Sequence, residues 1–228
     1  MGYMRAKLCL SLGSKTLRGL EEKVGGCGDH QPDLVEVRID YLERFDLETL
    51  DRILKPYRDR LILTCRPPRE GGDFRGSEEE RVKTLESLLD LRPGMVDIEI
   101  KTLEENPHLA SRARSLGVKV IASWHSFDGT PPRETLRERV EEGFKWGDMV
   151  KIVTMAQGIE DNLEVLELYR GVEEGRLIAF CMGWEGLISR ILSLQLGAPF
   201  TYVSLPSEAT APGQISIDVM RRILDVLG

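Results

Sequence analysis

Residues 60–100 read RLILTCRPPREGGDFRGSEEERVKTLESLLDLRPGMVDIEI. The runs at its two ends, RLILTCR (60–66) and MVDIEI (95–100), are short, apolar and rich in Leu, Ile and Val, as strands are. Between them SEEERVKTLESLLDL (77–91) places its apolar residues at helical spacing. Ser77 stands as the N-cap, and Glu80 completes a capping box in which each side chain accepts a hydrogen bond from the other's backbone N–H. A helix between two strands lets the second strand lie parallel to the first.

The same rhythm fills the rest of the chain. Further strands are expected at AKLCLSL (6–12), DLVEVRI (33–39), VKVIASWH (118–125), DMVKIVTM (148–155), RLIAFCM (176–182) and FTYVSL (200–205). Helical periodicity recurs in RETLRERVEEGFKWG (133–147) and IEDNLEVLELYRG (159–171), and the chain closes on GQISIDVMRRILDVLG (213–228). Eight strands alternating with about eight helices is the arithmetic of an α/β protein of the (β/α)8 TIM-barrel class, one domain over 1–228. An open doubly wound sheet is the alternative, but SLGSKT (11–16), after the first strand, has a single glycine where that fold carries a Gly-rich fingerprint.

Bulk properties narrow the function. The net charge is −7, which disfavours nucleic acid and anionic membranes as partners, since both require a basic surface. A small anionic substrate needs only a local basic pocket. Cys9, Cys27, Cys65 and Cys181 show no C-x-x-C spacing, and with three histidines no zinc pattern emerges. Cys9, Cys65 and Cys181 fall in apolar runs, so reduced, buried thiols in a cytoplasmic protein are expected there. The opening MGYMRAKLCLSLGS is too short in apolar residues for a signal peptide, and no run approaches a membrane span.

In a barrel the chemistry lies at the C-terminal ends of the strands. Glu36 and Arg38 share one face of the second strand, Arg66 ends the third, Asp97 and Glu99 share a face of the fourth, and His125 ends the fifth. Lys151 interrupts the apolar run MVKIVTMAQ (149–157), and Arg190 follows the seventh strand. Each has a structural reading: an ion pair for Glu36 and Arg38, interior hydrogen bonding for Asp97 and Glu99, a snorkelling Lys151, packing for Trp124, Trp146 and the cysteines. His30 and His108 fall in polar connections and are expected to face solvent. Convergence of basic residues on one rim of an acidic protein favours a pocket for carboxylate or phosphate. Apolar and cationic neighbours would favour a neutral Lys151, and a neutral lysine attacks ketones to form a Schiff base. His125, one strand earlier, is placed to remove the proton that the imine makes acidic. SLPSEATAPGQ (204–214) reads as a mobile lid or binding loop.

Taken together, EVRIDYL (36–42), TCRPPREGG (64–72), SWHSF (123–127), VKIVTMA (150–156), MGWEGLISR (182–190) and APGQ (211–214) resemble the type I 3-dehydroquinate dehydratases of the shikimate pathway, over almost the whole chain. The resemblance implies a (β/α)8 fold, a homodimer, no cofactor or metal, and syn elimination of water from 3-dehydroquinate to 3-dehydroshikimate through an imine. It implies Lys151 as the Schiff-base lysine, His125 as the base for the C2 proton and the acid for the departing hydroxyl, and Glu70 as the carboxylate that orients the histidine. Glu36, Arg38 and Arg66 match positions that bind substrate hydroxyls, Arg190 matches the partner of the substrate carboxylate, and Gln214 matches a binding residue in the closing loop. Thr210 stands in TAPGQ where the family often has serine; its hydroxyl supports the same hydrogen bond. Two other readings stay open: another Schiff-base barrel such as a class I aldolase, for which Gly183 and Gly186 could cradle phosphate, and a non-catalytic anion-binding barrel.

Overall fold

Every expected strand forms, each within a residue or two of its sequence run. The protein is described here by a computed structural model over residues 6–206 and 208–227. The strands are β1 (Leu8–Gly13), β2 (Leu34–Arg38), β3 (Leu61–Thr64), β4 (Met95–Glu99), β5 (Lys119–Ser126), β6 (Met149–Met155), β7 (Leu177–Met182) and β8 (Thr201–Val203). All pair in parallel, in the order β7-β6-β5-β4-β3-β2-β1-β8. The result is a barrel that is nearly closed. Its seam lies between β7 and β8, where Phe180 and Tyr202 face each other with ring centroids 6.4 Å apart.

Nine α-helices fall among the described residues: α1 (Leu17–His30), α2 (Leu47–Leu54), α3 (Glu78–Asp90), α4 (Ile100–Glu105), α5 (His108–Ser115), α6 (Arg133–Phe144), α7 (Asp161–Leu166), α8 (Leu187–Gln195) and α9 (Ile217–Leu227). The capping box of α3 is present, with Ser77 Oγ accepting from Glu80 N at 3.2 Å and Glu80 Oε2 accepting from Ser77 N at 2.7 Å. Three helices are shorter than their periodicity suggests. α6 stops at Phe144, α7 passes into a 3-10 turn at Glu167–Tyr169, and α9 starts only at Ile217. β8 is short as well, because Pro199 and Pro206 flank it and a proline has no N–H for a ladder. None of the described helices is long and apolar enough to cross a membrane.

Alternation along each strand sorts the core into two environments. One set of side chains faces outward against the helices: Leu10, Val35, Val37, Leu61, Leu63, Val96 and Ile98 among them. The other set fills the barrel, and its lower part is apolar, with Cys9, Ile62, Met95, Ile121, Met149, Ile178 and Phe200. One step further along the same strands, the inward residues become polar: Ser11, Glu36, Thr64, Asp97, Ser123 and Lys151, all buried. The apolar layer excludes water from below, so these groups must satisfy one another. His108 is exposed and meets Glu86, whereas His30 is half-buried against Asp218.

Candidate active site

Lys151 projects inward from β6, almost wholly buried. The register sets it beside Ser123 of β5. Its Nζ stands 3.0 Å from Asp97 Oδ2 and 4.2 Å from the centre of the Tyr202 ring. This departs from the expected setting of apolar and cationic neighbours alone, since a carboxylate lies within hydrogen-bond reach. Both contacts attract a cation at Nζ. Asp97 is the interior hydrogen-bonding group anticipated, accepting also from Arg66 Nη2 at 2.7 Å and Ser123 Oγ at 2.6 Å. Burial alone would raise its carboxyl, but Arg66, Lys151 and the Ser123 hydroxyl outweigh it and hold the group at about 2.

His125, near the end of β5, is oriented by Glu70. The Glu70 Oε2 atom lies 3.0 Å from both the ring Nδ1 and the backbone N of His125. Glu70 reaches back over the barrel from a 3-10 turn at Pro68–Glu70, just after β3. That turn closes through Gly71 at φ 77°, and at Gly72 an added Cβ would lie 1.8 Å from Arg66 O, so both positions call for glycine. Burial drives the His125 ring well below its ordinary value, and Arg66, Lys151 and Arg38 push the same way. The imidazole is therefore neutral at neutral pH and free to accept a proton at Nε2. Burial and nearby Glu99 raise the Glu70 carboxyl to about 7, against Arg66 and the His125 N–H.

The charged residues around these two are unequal in what they leave free. Arg66 lines the cavity while its guanidinium also donates to the interior, to Asp97, to Ser123 and to Glu99. Glu99 in turn accepts from Arg81 of α3 at 2.7 Å. Arg38 is paired with Asp40 at 2.7 Å. Glu36 accepts from the hydroxyls of Ser11 and Thr64. Arg190 differs. It is buried above the Phe180 ring at 4.3 Å, donates to Pro212 O at 3.2 Å, has no carboxylate beside it among the described residues, and leaves Nε without a partner. Burial lowers this guanidinium to about 10, which expresses how poorly its charge is compensated.

The loop after β8 covers the opening. Thr210 donates from its backbone N and its hydroxyl to Gln214 Oε1, at 2.7 and 3.0 Å, and the Thr210 and Ser11 hydroxyls are 2.9 Å apart. Ser207, inside the run read as a lid, lies outside the described residues, as do Met1–Arg5 at the chain start. Every side chain expected at the site lines this one cavity. Ser11, Phe127, Phe180, Met182 and Tyr202 line it too and were not anticipated. For Ser11, Phe180, Met182 and Tyr202 the sequence carried a signal: each sits an even number of residues from a barrel-filling side chain of its own strand. No three or more His, Cys, Asp or Glu among the described residues cluster in a way that could hold a metal.

Over residues 8–228 the chain matches the sequence family described as Type I 3-dehydroquinase. The chain belongs to the type I 3-dehydroquinase family. A 3-dehydroquinate dehydratase of Thermococcus gammatolerans is 44% identical over 211 residues, 92% of this chain and 95% of the relative. One from Pyrococcus abyssi is 37% identical over 92% of this chain and 94% of its own length. Among solved structures, a 3-dehydroquinate dehydratase from Geobacillus kaustophilus superposes with a TM-score of 0.88 at 26% identity, covering 98% of this chain and 91% of that one. A type I 3-dehydroquinate dehydratase from Clostridium difficile with covalent modified comenic acid has a TM-score of 0.85 at 26% identity, covering 100% and 94%. Membership in the type I 3-dehydroquinase family makes the chain a hydro-lyase.

Proposed function

We propose that this chain dehydrates 3-dehydroquinate to 3-dehydroshikimate by syn elimination, with Lys151 as the nucleophile and His125 as the acid and base. Lys151 gives one proton to His125, the freed amine adds to the C3 carbonyl carbon, and the carbonyl oxygen leaves as water with one proton from nitrogen and the one returned by His125, forming a protonated imine. Neutral His125 removes the C2 proton, and the electron pair moves onto the imine nitrogen to give an enamine. The enamine expels the C1 hydroxyl, which takes the proton from His125 and departs as water. Hydrolysis of the product imine restores Lys151. Glu70 holds the His125 ring by Nδ1, Arg190 pairs with the substrate carboxylate, and Glu36, Arg38, Arg66, Thr210 and Gln214 surround its hydroxyls.

The observation that carries this reading is the opening of Lys151 and the His125–Glu70 pair into one cavity under the uncompensated Arg190. The test is mass spectrometry after incubation with 3-dehydroquinate and borohydride. A reduced adduct is expected on the Lys151 peptide, absent in Lys151→Ala and retained in His125→Ala, which turns over very slowly. A wild-type enzyme that turns over with no adduct on that peptide would overturn the imine route.

Two further points belong to the same proposal. A cytoplasmic location is supported by Cys9, Cys27, Cys65 and Cys181, all free and buried. A homodimer is supported by an exposed apolar ridge. Ile188 and Leu192 on α8 and Leu196 just past its end recur every fourth residue, and Ile159, Leu163 and Trp184 are exposed beside that helix and its neighbour α7.

A further inference from the structure

We infer that Asp97 is the positioning residue of the nucleophilic lysine: its carboxylate, facing the Tyr202 ring across Nζ, holds the amine in place and remains the counterion when that nitrogen becomes a protonated imine. This rests on the reading of Lys151 as the imine-forming residue and deepens it.

The argument begins with confinement. A lysine amine swings on a flexible four-carbon stem, and an undirected one seldom meets a carbonyl carbon at bonding distance. Here Nζ is fixed from two sides, by Asp97 Oδ2 at 3.0 Å and the Tyr202 ring at 4.2 Å, and the remaining approach opens into the cavity. Asp97 cannot rotate away. Its Oδ1 is occupied by Arg66 and Ser123, so Oδ2 is the atom left for Lys151. Arg66 is itself held by Glu99, and Glu99 by Arg81, which enters from α3 outside the barrel. The carboxylate is thus anchored through a chain of buried ion pairs that ends on a helix.

Charge supplies the second half. Once Nζ is bonded to substrate carbon, the protonated imine keeps one N–H and its positive charge, now shut under the closing loop away from water. A buried cation without a counterion is strongly disfavoured. Asp97 Oδ2 is placed to accept that N–H, and the Tyr202 face to support the charge. Arg190, the carboxylate-binding group of the proposed function, is held by Phe180 and Pro212 O and makes no hydrogen bond to Asp97.

Asp97→Asn keeps the shape and removes the charge. The expected result is a kcat at least 100-fold lower, a KM within about threefold of wild type, and less borohydride-trapped adduct on Lys151 during turnover. A variant kcat within threefold of wild type would overturn the inference, as would a KM rise that accounts for the whole loss. If Asp97→Asn fails to fold, the crystal structure of the wild-type enzyme carrying its reduced substrate adduct decides. An Asp97 oxygen within hydrogen-bond reach of the alkylated nitrogen supports the inference, and a nitrogen drawn away from Asp97 refutes it. Absence of any wild-type adduct is a separate result, which removes Lys151 as nucleophile.

Discussion

Arg190 keeps its positive charge in a buried position with one carbonyl and one aromatic face for company. A guanidinium so placed gains most when an anion enters. A hydrogen bond to a charged group is worth about 1.5–3 kcal/mol, and each 1.4 kcal/mol is about tenfold in affinity. Arg190→Ala is therefore expected to raise KM by about 10- to 100-fold, with a smaller change in kcat, in steady-state assays with 3-dehydroquinate. The His125–Glu70 pair makes a second, pH-dependent expectation. In the proposed mechanism the working base is neutral imidazole beside ionised Glu70, and the proton that spoils it binds the pair with Glu70 raised to about 7. Activity should fall as pH drops through about 7. In Glu70→Gln that proton site is gone, and His125 alone is held below its ordinary value by burial and by Arg66, Lys151 and Arg38. The acid limb of the kcat/KM profile should then move to lower pH. A limb that stays in place would show that Glu70 does not set it.

Helix α3 is held by two kinds of interaction of unequal worth. Its N-terminal capping box is exposed, and Ser77→Ala should cost about 1 kcal/mol. Arg81, four residues on, is fully buried and donates to Glu99, Cys65 O, Glu78 and Thr102. Arg81→Ala strips one of the two arginines from a buried glutamate and should cost about 3 kcal/mol or more, read as the loss in urea-unfolding free energy. Comparable losses from the two substitutions would argue that the buried network contributes little. The loop after β8 is tied down differently, by Thr210, Gln214, Ser11, Arg190 and a surface ion pair from Lys23 to Glu208. A bound product adds contacts beneath this loop, so amide exchange over 208–214 should slow when 3-dehydroshikimate is added. Unchanged exchange would separate this loop from ligand binding.

The molecule as a whole sets its apolar ridge on α7 and α8, next to the seam where β7 and β8 do not pair. Trp184 is 82% exposed there, at the rim of the barrel mouth. For the proposed homodimer, light scattering should give about twice the chain mass of 25.7 kDa. Leu192→Glu, on the ridge and away from the cavity lining, should return the chain mass with the circular dichroism spectrum retained. A wild-type protein already at monomer mass would leave the ridge without this role.

Strand and helix periods are properties of neighbouring residues, so the sequence alone was enough for the eight βα units, the α3 capping box, the parallel sheet and the residue types at the strand ends. The candidate site was legible to the same depth: Lys151, His125, Glu70 and Arg190 stand in recognisable segments, and all reach one cavity. The contacts among them were not legible. Asp97 meets Lys151 across 54 residues of chain, and whether they meet depends on the stagger of β4 against β5 and β5 against β6. The register of β3 against β4 sends Arg66 into the interior network, whereas Arg190, on α8, is left uncompensated. An inward-facing residue is known from its period along one strand. Which other inward residue it touches is set by how the strands slide past each other as the barrel closes, and that is decided by packing of the whole core.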